Sequence, residues 1–503
     1  MSARERTSPA RLLRALAPAM PWLGAIAVLT LAWLGRGYTS DDAFIPGRYA
    51  LRLASGHGYT FRDGPPTDGV TGPLLLLVEV VAVALGLDPV IASKVLGALA
   101  VALAAGLVVA RVRVRATGTL AAPLVVAGLC VSGAVAMHAQ SGLETGLATL
   151  VVTLAGLGAT SRDRHRSLAA AGPLGALVLV PWLRPELVPV AIAIALVWAR
   201  RRAGPPAGET APLANGAFVA LGVGIVLGLG SVVAFRVAMF GSAIPLSAQA
   251  KPTDLGNGLG YTLVALSVLF GLALVPTLHA ARSCRDDGAL GLALLVTLAT
   301  VILGGGDWMP GGRLLVPIAP LTWMLFGIGV SRFARSGARG RAPTWVVAVA
   351  LLALAPQLVL TTLVVQQAGD VARSREHAGT ELRRLLDREA RVVALVDVGF
   401  LAYRARWEPF DLAGVTDPEV GTRPGAHCAK PVMLDDLLAR DVDMVVLHSG
   451  SEPRIEGDVI TAMRGHPVEQ ALASDARMRA LFEVVAVVPY AAGYHYIVLR
   501  RRR

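Results

Sequence analysis

Residues 22–45 read WLGAIAVLTLAWLGRGYTSDDAFI, and the rest of the chain is organised around this stretch. The apolar segment Trp22 to Leu34 ends, Gly35 to Thr39 turn the chain, and Asp41 and Asp42 follow at once. At that spacing the acids lie near a membrane–water boundary, at the level of lipid phosphates. Adjacent carboxylates repel, so the pair is costly unless a cation, a phosphate-binding arginine or a catalytic task occupies it. The other reading is a solvated turn, where Asp is common. The remaining sequence has to decide between the two.

Of 503 residues, 54% are hydrophobic and 16% are charged, against about a quarter charged in soluble domains. The mean hydropathy is +0.59, and apolar runs of roughly twenty residues recur, the length that crosses a bilayer core. This composition predicts a polytopic α-helical membrane protein. A net charge of +12 could suggest nucleic acid, but the arginines cluster in short loops between apolar runs, as cytoplasmic membrane loops do. We therefore expect a lipid bilayer as partner and no nucleic acid. Cys130, Cys284 and Cys428 fall in a span, a loop and the tail, so no disulfide framework is expected. Arg4, Arg6, Arg11 and Arg14 precede the first apolar run without a small-residue cleavage site after it. The segment reads as an uncleaved first span of a plasma-membrane protein with a cytoplasmic N-terminus.

Basic, hence inner, loops are Arg111 to Arg115, Arg162 to Arg166, Arg200 to Arg202 and Arg332 to Arg341, with a weaker one at Arg282 and Arg285. Outer turns fall at 36–72, His138–Glu144, Arg184–Glu186, Gly241–Asn257 and Gly304–Gly312. The alternation falters at Gly72–Leu87, which is short for a span and reads as a helix on or dipping into the outer leaflet. About eleven spans result, with the C-terminus outside. After the apolar run Trp345 to Val365 the composition becomes ordinary, which divides the chain into a transmembrane domain, 1–369, and an extracytoplasmic α/β domain, 370–503. Strands are predicted at Val392–Asp397, Met444–His448, Val484–Val488 and Tyr496–Leu499. Helices are predicted at Glu381–Arg391 and Met433–Arg440.

Polar residues concentrate at the outer ends of spans. Ser141-Gly142-Leu143-Glu144-Thr145 opens one; Arg184-Pro185-Glu186 separates two; Asp307-Trp308-Met309 precedes Arg313; Lys251 follows Pro245. Singly, each could be a cap, an anchor or a snorkelling side chain. Together they outline one outward-facing polar cavity. In the first outer loop Arg48 and Arg52 follow the acids at helical spacing, and Ser55 to Tyr59 break that helix. His57 is either an acid–base group or, more commonly for its kind, a hydrogen-bonded loop histidine. Asp63 is assigned to a turn, and Asp68 to Pro73 is turn chemistry. Arginines and a lysine at phosphate level suit a leaving phosphate. A carboxylate at the same level suits deprotonation of an acceptor hydroxyl.

On these residues the sequence resembles the GT-C membrane glycosyltransferases that use polyprenyl-phosphate sugars, and among them the terminal arabinofuranosyltransferase (AftB-like) family of actinobacterial cell walls. The matching residues are Asp41 to Ile45 with Arg48 to Ala50, Gly56-His57-Gly58, Ser141 to Thr145, Arg184-Pro185-Glu186, Gly305 to Met309 through Arg313, and Asp411 to Asp417. Two departures are Asp68–Leu74, in place of a glycine-tyrosine-threonine-asparagine run, and Pro245-Leu246-Ser247, in place of proline-asparagine-threonine. The resemblance implies a GT-C-like fold with Asp41 and Asp42 as catalytic centre, a polyprenyl-phosphate sugar donor and a glycan acceptor of the cell wall arabinan type. Arg184, Lys251, Arg313 and Arg48 would bind the donor phosphate. Glu144, Glu186, Asp307 and His57 would serve the acceptor or support the site. No cofactor is required by this reading, although two carboxylates beside a phosphate can hold a divalent cation.

A flippase or transporter of lipid-linked sugars is the alternative; transporters place ionisable groups at the bilayer midplane and carry internal repeats, whereas here acids and bases gather at one rim. A membrane scaffold is a third reading. The topology has a direct check: a cysteine introduced at an exposed position within 370–503 is expected to react with a membrane-impermeant thiol reagent in intact cells. Labelling only after lysis would overturn the assignment.

Overall fold

The computed structural model describes residues 15–116, 120–161, 167–203, 212–251, 253–283, 285–336, 344–457, 459–491 and 493–502. Arg4, Arg6, Arg11 and Arg14, the basic loop Arg162 to Arg166, Cys284, residues 337–341 and Arg503 lie outside the described residues. The chain divides into two compact units. One is built from the segments up to Arg36, Lys94–Val232 and Thr253–Gln367, the other from Gly37–Ser93, Val233–Pro252 and Ala368–Arg503. The segment that follows the first apolar helix is thus grouped with the C-terminal segment in a single unit.

The regular structure of the first unit is helical throughout its described residues, as alanine- and leucine-rich runs favour. Among the described residues four helices are long and apolar enough to cross a membrane: Ala17–Leu34, Pro89–Arg115, Gly216–Phe240 and Arg313–Phe333. Two pairs bent by 65° and 90°, Ala121–Val131 with Gly133–Ala139 and Leu255–Leu269 with Gly271–Arg282, raise the number to six if each is one span. These four to six candidates, counted by length and composition among the described residues, do not confirm the expected count of about eleven. Several apolar runs fold into shorter helices, among them Thr145–Ala159, Ala169–Leu183 and Gly288–Leu303. The 15 residues of Thr145–Ala159 rise roughly 22 Å, less than a hydrocarbon core of about 30 Å. Pro73–Ala84, in the second unit, has only 12 residues, in keeping with a helix too short to cross.

The apolar window of Arg313–Phe333 is 94% buried inside the protein and that of Gly216–Phe240 only 17%, so the former is a packing centre and the latter turns its side chains outward. Trp323 sits at that centre, edge-on to Phe270 and Phe326 with ring centroids 6.1 and 5.3 Å away. Small residues let these helices approach: a Cβ on Gly146 would lie 2.5 Å from the Gly97 Cα, and one on Gly128 2.4 Å from the Trp323 ring.

The second unit carries a sheet. Its strands are β1 Val392–Leu395, β2 Glu408–Asp411, β3 Met444–Ser449, β4 Arg454–Glu456, β5 Val459–Ala462, β6 Phe482–Ala491 and β7 Tyr494–Arg501. Five of them form a mixed sheet in the order β2-β1-β3-β7-β6, with β4 and β5 as a separate antiparallel pair. β1 runs parallel to β2 and β3, while β7 runs antiparallel to β3 and β6. The central strand β3 reads MVVLHS and is buried along most of its length, as a strand covered on both faces should be. Phe410, Leu447, Phe482 and Ile497 join the core beneath the helices Leu434–Ala439 and Pro467–Ser474.

Strands appear at all four predicted places with shifted ends. β2 carries no signal of its own, because its four residues EPFD include a proline and two acids. The apolar run Trp345 to Val365 and the predicted helix at Glu381 belong to one 46-residue helix, Thr344–Glu389.

Close helix approach makes a sharp expectation. Gly146→Ala should cost roughly 1–3 kcal/mol, because its methyl would overlap backbone that cannot swing aside. Gly175→Ala, where nothing lies within 4 Å of the added carbon, should cost nothing. Thermal unfolding of the two variants in detergent checks the difference.

Candidate functional site

Asp41, Asp42 and Ala43 form a single 3-10 turn after an extended Ser40, and the helix Phe44–Ala54 follows directly. Acids at such a start are favoured by the amide dipoles, and Pro46 lies in the first helical turn, where its missing N–H costs nothing. The two carboxylates meet different surroundings. Asp41 is 8% exposed. Its Oδ2 accepts the Gly399 N–H and its Oδ1 the Phe400 N–H, both at 3.0 Å, and the Arg375 Nε lies 3.4 Å from Oδ1. Arg375 also donates to the Thr39 carbonyl at 3.0 Å. Only glycine fits at 399, since a Cβ would fall 2.1 Å from the Asp41 carbonyl oxygen. Burial pushes the Asp41 carboxyl up to about 6, against the downward pull of Arg375. Burial alone would lower the Arg375 guanidinium, but the charge of Asp41 holds it above its usual value. Asp42 is half-buried, and no described residue donates a hydrogen bond to it or pairs with it.

The other residues predicted in this unit have varied fates. Arg48 is 4% exposed; its Nε donates to the Phe61 carbonyl at 2.7 Å and its Nη1 to the carbonyls of Ala402 and Ala405. Burial lowers it to about 10. It clamps backbone, a role the sequence did not separate from phosphate binding. His57 is exposed, with Nδ1 2.9 Å from the Ser55 hydroxyl. Asp63 does more than turn the chain, since it pairs with Arg52. Arg236 donates to Asp68 at 3.0 Å and to the Thr71 carbonyl at 2.8 Å. The two departures from the family pattern meet, for the Thr71 and Ser247 hydroxyls are 2.8 Å apart. Lys251 is half-buried, caps the end of the helix Leu246–Ala250, and pairs with no described residue.

Asp411 to Asp417 forms a self-contained turn. Asp411 accepts the N–H groups of Ala413, Gly414 and Thr416 at 2.8, 3.1 and 2.7 Å. Asp417 caps the helix Pro418–Gly421 and accepts from Arg440 at 2.9 Å.

In the first unit Arg184 is 2% exposed. Its Nε donates to Glu186 at 2.7 Å, its Nη1 to the Thr145 hydroxyl at 3.2 Å, and Glu144 lies 3.5 Å away. Arg313 donates to Asp307 at 2.7 Å. Arg184, Asp307 and Arg313 all act electrostatically on the His138 ring and the Tyr261 phenol, which gathers them in one cluster. Lys251 belongs to the other compact unit.

Three functional candidates were not legible in the sequence: Arg375, Gly399-Phe400 and Asp397. Asp397 accepts from the Tyr496 hydroxyl at 3.3 Å and adds its charge to the field at Asp41. The available signal is the position of 397–400 just beyond the C-terminal end of a parallel strand, where α/β sheets build sites. Both Asp41 oxygens already face N–H donors, and the Arg375 guanidinium beside Oδ1 supplies a positive charge that an ion at the acid pair would have to meet.

Residues 366–499 match a family model described as Domain of unknown function (DUF8728). No curated protein matches the sequence. The solved structures that are similar include two membrane-protein examples. The Archaeoglobus fulgidus oligosaccharyltransferase, crystallised as a complex with Zn and sulfate, is 13% identical with a TM-score of 0.48, over 85% of this chain and 67% of that one. The arabinofuranosyltransferase AftD from Mycobacteria, solved by single-particle cryo-EM, is 14% identical with a TM-score of 0.47, over 96% of this chain. This chain spans 40% of the length of the mycobacterial protein.

The Asp41 environment sets a pH dependence. With a folded value of about 6 above an unfolded value of about 3.9, the folded state binds the proton more tightly, so Asp41's contribution to stability declines as pH rises from about 4 through 6. Thermal unfolding should show a higher midpoint at pH 5 than at pH 7. Asp41→Asn, neutral at both pH values, should reduce that difference.

Proposed function

We propose that this protein is a membrane glycosyltransferase that moves a sugar, arabinofuranose in the leading reading, from a polyprenyl-phosphate donor to an extracytoplasmic cell-envelope glycan. The observation that carries the reading is the split between the acids: Asp41 is held by two N–H groups and Arg375, whereas Asp42, one residue on, is half-buried with no described partner. A half-buried carboxylate without a described partner is suited to take a proton. The resemblance of the surrounding motifs to the polyprenyl-phosphate-dependent enzymes supplies the substrate class.

In this reading Asp42 accepts the proton of the acceptor hydroxyl as its oxygen attacks the anomeric carbon. The carbon–oxygen bond to the phosphate breaks and the electron pair leaves with the phosphate. Asp41 positions the turn and does not exchange the proton. Lys251, a cation without a described counter-charge, would face the developing phosphate charge. Roles for Arg184 and Arg313 at the donor phosphate are also proposed; each would have to give up a carboxylate partner to take them, which makes Lys251 the readier ligand. The aromatic residues of β6 and β7, with Tyr494 37% exposed, offer ring faces for a sugar.

The test is transfer from a synthetic polyprenyl-phosphate arabinofuranose by the purified full-length protein. Asp42→Asn should lower turnover roughly a hundredfold or more with an unchanged unfolding midpoint. Lys251→Ala should chiefly weaken donor use. Near-normal turnover in Asp42→Asn would remove the proposed base.

A further inference from the structure

His448, His466 and Glu469 each bring a side-chain donor atom to within 4.8 Å of the others. They come from separate elements. His448 lies on β3, His466 immediately precedes the helix Pro467–Ser474, and Glu469 is in the first turn of that helix. The glycosyl-transfer reading makes no use of them.

Glu469 is fully buried. Its Oε1 accepts the His448 N–H at 2.7 Å and its Oε2 the His466 N–H at 2.8 Å. Each donor takes one lone pair and leaves another on the same oxygen, so the carboxylate is fixed in place and still able to ligate. The imidazoles of His448 and His466 stack with centroids 5.5 Å apart and planes 28° apart. The Nδ1 of His448 is buried and makes no hydrogen bond. A buried polar nitrogen without a partner costs about 1–3 kcal/mol and calls for an explanation, an ion among them.

We propose that His448, His466 and Glu469 form a binding site for a divalent first-row transition ion, Zn²⁺ foremost. Two imidazoles and one carboxylate are a donor set that zinc sites use, while Ca²⁺ and Mg²⁺ take oxygen ligands. Ligands 2.0–2.2 Å from a tetrahedral ion stand about 3.3–3.6 Å apart. The cluster reaches that spacing by an inward swing of the histidine rings, both of which are half-buried and can turn about their side-chain bonds. Three protein ligands leave a fourth position open. The ion would staple the helix to β3. It would also fix the His448 ring, which stacks on Tyr494 at 5.6 Å, and so steady the exposed aromatic surface of β7.

The full-length protein in detergent, stripped with a chelator, is titrated with Co²⁺ as a spectroscopic substitute and then with Zn²⁺. One Co²⁺ per chain with visible ligand-field absorption is expected, displaced by one equivalent of Zn²⁺. Zn²⁺ should raise the unfolding midpoint and Ca²⁺ should leave it unchanged. His466→Ala and Glu469→Gln should each weaken Zn²⁺ binding roughly a hundredfold, with His448→Gln as a further variant and metal-free unfolding curves separating lost ligands from lost fold. Absence of stoichiometric Zn²⁺ or Co²⁺ binding overturns the proposal. Undiminished binding in folded variants places the ion elsewhere and overturns it equally. No transfer activity is read, so the outcome is independent of the proposed reaction.

Discussion

The Asp41 carboxylate, receiving the N–H groups of Gly399 and Phe400, joins two parts of the chain more than 350 residues apart. The bonds can form only because residue 399 has no side chain, and the two donors follow within five residues of the end of β1 at Leu395. Arg375 adds a charge that compensates the buried acid and at the same time holds the Thr39 carbonyl. Arg48 repeats the device one helical step further on, closing on the carbonyls of Phe61 and Ala402. The turn that carries Asp42 is therefore set by buried polar bonds, which are costly to leave unmade and so tolerate few alternatives.

That anchoring explains how two adjacent acids can differ. One has given both of its oxygens to fixed donors; its neighbour has none among the described residues. The cluster of the first unit follows the opposite arrangement. Arg184 and Arg313 are matched by Glu144, Glu186 and Asp307, so their charges are already compensated. A buried ion pair of that kind resists the loss of either member. Lys251, by contrast, pairs with no acid among the described residues.

Much of the class was legible without coordinates. Apolar runs, arginine-rich loops and the shift to ordinary composition near residue 370 follow from what a bilayer excludes and what it does not, and those are properties of local sequence. Four strands were legible for the same reason, because alternating or β-branched runs carry their own signal. The number of spans was not, since hydropathy records how apolar a run is and not whether packing breaks it into helices of 10–17 residues. β2 was silent because its place is set by parallel pairing with β1, a contact between residues that share no local pattern.

The sequence by itself determined that two acids follow an apolar segment, that basic and acidic residues punctuate the turns between apolar runs, and that a segment with strand and helix signals follows residue 370. Charge and hydropathy are written residue by residue, so no fold is needed to read them. Only the tertiary structure decided which acid is held and which is not, that Arg48 grips backbone, and that Arg375, Asp397 and Gly399 belong beside Asp41. It alone brought His448, His466 and Glu469 together. Those outcomes depend on burial and on which N–H groups face a carboxylate across hundreds of residues. They arise from chain closure, which spacing along the sequence does not encode.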